Sequence, residues 1–211
     1  MRYLQLFIFV IGLLPQVLYA DDWPGAQVKS VFSSDGTHFV RILPGSSWGD
    51  AQGFAGARKR EYARGLFYAL QQDRSYRLVA EVTLANPVAP VDALVTKRGE
   101  LITFDNWHNF GFGAVVAMFD SAGNLLASFS LEDLYPKERV SSIPRSVSSR
   151  WWRCNPFGFV DPSEQTTVYA FEHFGGTFSF SFSSRSFKYS PGKAECQRPA
   201  GPFSSTRFDS P

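Results

Sequence analysis

Residues Pro90–Leu131 read PVDALVTKRGELITFDNWHNFGFGAVVAMFDSAGNLLASFSL. Four short apolar runs, Val91–Thr96, Glu100–Asp105, Ala114–Phe119 and Leu125–Phe129, are divided by Lys97-Arg98-Gly99, by the aromatic loop FDNWHNFGFG and by DSAGN. Runs of this length bounded by Gly, Asn and Asp read as strands. The Gly-Asn of the last connection supplies the left-handed residue that a bulged hairpin turn requires. The stretch predicts a four-stranded antiparallel meander carrying one decorated loop.

The same order recurs toward the N-terminus. In Gln27–Leu43, VKSVFSS and THFVRIL flank Asp35-Gly36, a pair that favours a two-residue hairpin turn with positive φ. A Gly-, Ser- and Ala-rich loop follows over Pro44–Ala57, with Trp48 inside it. Gly65–Leu70 and Tyr76–Leu84 then pair across QQDRS. A helix over Ala57–Leu70 competes, because Tyr62, Leu66 and Leu70 fall at helical spacing, but Gly65 and the aromatic Phe67-Tyr68 favour strand. Both units run strand, tight turn, strand, long loop, strand, polar turn, strand, about sixty residues apart, which hints at duplication.

Toward the C-terminus, Ser130 opens S-L-E-D, a capping box for one short connector helix from Leu131 to about Glu138, limited by Pro136. Within SVSSRWWRCN, Trp151 and Trp152 are neighbours, and neighbours in a strand point to opposite faces. One packs while the other caps an edge or faces a groove. Thr166–Glu172 and Thr177–Ser183 pair across Gly175-Gly176, with Phe178, Phe180 and Phe182 on a single face. This is material for two complete units and a partial third. The fold class expected is all-β: consecutive antiparallel meanders arranged as a propeller-like arc or a β-sandwich, with one short connector helix.

Met1–Ala20 has Arg2, an apolar run from Leu4 to Leu14, Pro15 and a small-residue end before Asp21, the pattern of a cleavable secretory signal. The run is shorter than the ~20 residues a spanning helix needs, so the mature chain is expected to have no membrane span. About 190 residues remain, enough for one domain over 21–197, followed by a Pro-, Ser- and Gly-rich flexible tail over 198–211. Of 21 basic side chains, loss of Arg2 leaves 20 against 19 acidic ones. Recognition of nucleic acid needs a basic excess that this balance lacks. The two cysteines, Cys154 and Cys196, are most simply one disulfide in an exported chain, stabilising by about 3–4 kcal/mol.

SSDGTHF at Ser33–Phe39 resembles the S-P-D-G hairpins of TolB-like and WD40-like β-propeller blades, with Ser34 where those repeats carry Pro; the second unit has Lys97-Arg98-Gly99 instead. The likeness covers about a dozen residues per unit and implies blade-like meanders. NPVAPVDALVTKRGELITFDNWHNFGFG resembles segments of uncharacterised exported bacterial proteins, which implies a secreted or periplasmic setting and no particular activity.

Catalytic signatures are absent. No serine lies in G-x-S-x-G, and the three histidines, His38, His108 and His173, fall in different units without H-E-x-x-H spacing. The candidate binding residues are therefore Asp105, Asn106, Trp107, His108, Phe110 and Phe112 on the aromatic loop, with Trp151 and Trp152. Aromatics on a loop form a stacking platform for a ligand or partner, or they fold back to plug the end of a sheet. The expectation is a non-enzymatic exported protein that binds an unidentified protein or small ligand through its loops, with no cofactor and no metal. A metal-assisted hydrolase using Asp105, His108, Glu172 and His173 is the alternative, and it requires those side chains to converge.

Overall fold

A computed structural model describes residues 23–48 and 60–192. The signal segment, most of the Pro44–Ala57 loop, Cys196 and the 198–211 tail lie outside the described residues. Among the described residues, twelve strands form three four-stranded antiparallel meanders. The first comprises β1 (Lys29–Phe32), β2 (His38–Leu43), β3 (Arg64–Leu70) and β4 (Tyr76–Thr83). The second comprises β5 (Pro90–Val95), β6 (Leu101–Asn106), β7 (Val116–Phe119) and β8 (Leu125–Phe129). The third comprises β9 (Arg153–Phe159), β10 (Thr167–Glu172), β11 (Thr177–Ser181) and β12 (Ser186–Ser190). In each sheet the strands lie in chain order.

Alternation explains why the middle sheet reads as nearly continuous apolar sequence. Ile102, Phe104, Val116 and Met118 point toward the third sheet and join Val168, Ala170, Phe178 and Phe180 in one core. Their neighbours Leu101, Ala117 and Phe119 point the other way and join Val40, Ile42 and Phe67 of the first sheet. A strand covered on both faces has no polar side to offer, so β6 and β7 are buried at every position. The outer sheets keep one wet face: TFSFS in β11 buries Phe178 and Phe180 and leaves its serines half-exposed. The middle sheet is thus packed between the other two, which makes three layers and not a two-layer sandwich.

The first hairpin turns of all three sheets meet at one end of the stack. Gln165, buried in the β9–β10 connection, donates from Nε2 to Ser34 Oγ at 2.8 Å in the β1–β2 turn. Its Oε1 accepts from the Lys97 amide at 2.7 Å in the β5–β6 turn. Gly99 completes the approach, because a Cβ there would lie 2.8 Å from the His38 ring.

Three expectations need correction. The β1–β2 reversal uses Ser34–Thr37 rather than two residues, with Ser33 N bonded to His38 O at 2.9 Å and Gly36 at φ +69°. Asp35 tightens this longer turn by accepting from Ser33 Oγ, Thr37 N and Thr37 Oγ1. The connector is two helices, α1 (Leu131–Leu134) and α2 (Lys137–Ser142), because Pro136 ends one and caps the next. The capping box forms as expected, with Ser130 N donating to Asp133 Oδ2 at 2.7 Å. The third unit is complete. Its first strand begins after Trp152, and its last, SFKYS, pairs with β11 from Ser186↔Ser181 to Ser190↔Thr177.

No helix among the described residues is long and apolar enough to cross a membrane.

Candidate functional site

Asp105, next to last in β6, has a φ of +58° that bends the chain, and the β6–β7 loop begins after Asn106. Gly111 and Gly113 take positive φ at its far side, as does His108. Asn106 ties the two limbs together: its Nδ2 donates to Phe112 O at 2.6 Å and Ala114 O at 3.1 Å. Buried Asn86 braces the base by donating to Asp105 O and Asn106 Oδ1. The loop is thus held by side-chain amides where strand hydrogen bonds run out.

Its inner half is a plug. Phe110, Asp105 and Trp152 are fully buried. Asp105 Oδ1 accepts from Trp152 Nε1 at 2.7 Å and from Gly111 N at 3.1 Å. Oδ2 accepts from Arg153 Nε at 2.6 Å. Arg153, also fully buried, donates through Nη2 to Asp92 Oδ2 at 2.6 Å. Its guanidinium is surrounded by the rings of Phe104, Phe110 and Phe157, with centroids 5.1–5.3 Å away. Burial pushes the Asp105 carboxyl up, against the pull of Arg153, Trp152 and Gly111. Burial also opposes the charge on Arg153, but Asp105 and Asp92 outweigh it and hold the guanidinium above its ordinary value.

The outer half presents rings. Trp107, His108 and Phe112 are half-buried. Trp107 Nε1 donates to Pro24 O at 2.8 Å, which fixes the indole. The His108 ring lies 4.3 Å from the Trp48 ring and 5.4 Å from that of Trp23, and Trp23 meets Trp107 edge-on at 5.5 Å. Trp48 is 37% exposed, so this cluster reaches the surface. His108 Nε2 and Trp23 Nε1 are buried without a hydrogen-bond partner among the described residues. Burial lowers the His108 pKa, leaving a neutral imidazole near neutral pH. On the other flank of the loop, Asn109 and Phe112 line a cleft of about 240 Å³ with Tyr62.

Glu172, at the corresponding end of β10, belongs to a second network. Its Oε1 accepts from Gly176 N at 2.7 Å and Tyr189 OH at 3.1 Å, and its Oε2 from Phe174 N at 2.9 Å and Tyr135 OH at 3.1 Å. Arg139 Nη2 stands 3.6 Å from Oε1. Burial, with the Glu172 charge added, pushes the Tyr135 hydroxyl well above its ordinary pKa. His173 stacks edge-on with Phe174, and its buried Nδ1 has no hydrogen-bond partner among the described residues.

The structure therefore brings Asp105, Phe110 and Trp152 together as support, and Trp107 with His108 as surface. Trp151 is half-buried beside its fully buried neighbour, and both lie just before β9. Asp105, His108, Glu172 and His173 do not gather. Among the described residues no group of three or more His, Cys, Asp or Glu side chains is placed to hold a metal ion. Sequence reasoning missed Arg153, Trp23, Trp48 and Asn86. An arginine between two tryptophans and a cysteine was the available signal, since a cation flanked by buried residues needs an acid partner. Cys154 is buried, with Sγ 3.7 Å from Glu172 O; Cys196 lies outside the described residues. No protein-family model matches the chain, and no curated protein is significantly similar to it.

Proposed function

We propose that this is an exported, non-enzymatic β-rich protein that binds a protein partner or small ligand through its strand-connecting loops, chiefly the outer half of the β6–β7 loop. One observation carries this reading: Trp107 and His108, clustered with Trp23 and Trp48, are presented on a loop that a buried ion-pair network fixes in place. Rings held rigidly lose little entropy on binding. The export half of the reading rests on the N-terminal sequence and on the Cys154–Cys196 pair, proposed as a disulfide.

The test is co-purification from the exported fraction of the producing cell. Wild type is expected to retain partners that Trp107→Ala and His108→Ala lose, with circular dichroism unchanged. Identical partner sets for all three proteins would reduce the loop to a structural plug. A thiol titration of denatured, unreduced mature protein should find no free thiol; two would refute the bridge.

A further inference from the structure

We propose a second binding site, for a phosphate-bearing anion, in the cleft between the connector helices and the Arg145–Arg150 turn. The cleft encloses about 460 Å³, within the range of small-molecule sites, and is walled by Tyr135 and Val140. Lys137, Arg145 and Arg150 line it against a single carboxylate, Glu132. Glu132 is taken by Arg150 at 3.0 Å. Lys137 and Arg145 have no ion-pair partner among the described residues. Such a concentration of positive charge is local, because the chain as a whole is close to neutral.

The cations are also placed. Arg145 and Arg150 face each other across an antiparallel bridge. The Arg150 guanidinium is seated 4.2 Å over the Phe112 ring. Arg139, the other cation of α2, is paired with Glu172 and does not line the cleft. A planar guanidinium offers paired donors matched to phosphate oxygens, and the ammonium of Lys137 adds a point charge to the lining. The Tyr135 and Val140 wall suits an apolar or flat group attached to that phosphate. The phosphate has two possible sources, a soluble phosphomonoester or a lipid headgroup. This site does not depend on the loop reading above, and the two are lost by different substitutions.

The test uses the whole mature chain. Inorganic phosphate is titrated calorimetrically at low salt up to about 10 mM, the range in which a bare fragment of a ligand binds. Saturable binding that weakens with added salt is expected, and the exposed double substitution Lys137→Ala/Arg145→Ala should weaken it at least about tenfold. Arg145→Gln alone, which keeps the side-chain bulk, should give a smaller loss in the same direction. Vesicles of phosphatidylglycerol in phosphatidylcholine are tested in parallel: retention competed by phosphate assigns a lipid headgroup, and phosphate binding without retention assigns a soluble ligand. Absence of both, or binding unchanged in the double variant, overturns the proposal.

Discussion

Asp105 and Arg153 are ionisable side chains with no access to water, held by a 2.6 Å hydrogen bond. Such a pair adds little net stability against an apolar replacement of both partners, but removing one leaves a buried charge unmatched. Arg153→Met should therefore lower unfolding free energy by about 3–5 kcal/mol, read from urea denaturation, and adding Asp105→Asn should recover part of the loss. An unchanged midpoint for the single variant would show that Asp105 is already neutral. His108 gives a pH signature. Its folded pKa lies below the ordinary 6.5, so the folded state binds fewer protons than the unfolded chain as pH falls below that value. Its contribution is complete above about 6.5 and is lost on acidification. His108→Phe, compared by melting temperature between pH 5 and 8, should flatten the acid side of the profile.

The β6–β7 loop depends on a backbone contact that tolerates no side chain. A Cβ at Gly111 would stand 2.3 Å from Arg150 O, at a φ of +75°. Gly111→Ala should cost about 1–3 kcal/mol from the backbone conformation alone, with more from the clash, and lower the urea midpoint. Strand positions were legible because period-two alternation and turn residues are local signals; β2, β6, β8 and β11 lie within a residue or two of their reading. The strand β12 was not, since Ser186, Lys188 and Ser190 face solvent on an edge and only Phe187 and Tyr189 mark it. The loop was recognised as the decorated connection, and its division into plug and surface was not. That division is set by Arg153, 48 residues from Asp105 in the chain, and no spacing rule reaches so far.

The stack makes the middle sheet common to two cores. Met118 and Phe119 are adjacent, fully or almost fully buried, and belong to different clusters. Met118→Ala should loosen the contact with the third sheet and Phe119→Ala that with the first, each costing about 2–5 kcal/mol. Because both cores share β6 and β7, fluorescence and circular dichroism should still report one coincident transition in each variant; separated transitions would mean that the sheets fold independently. Where the first hairpin turns meet, the side chain of Gln165 ties the first sheet to the second by spanning their turns with a single amide. Shortening it by one methylene, as Asn would, cannot satisfy both contacts at once, so the junction of these two turns rests on the reach of one side chain.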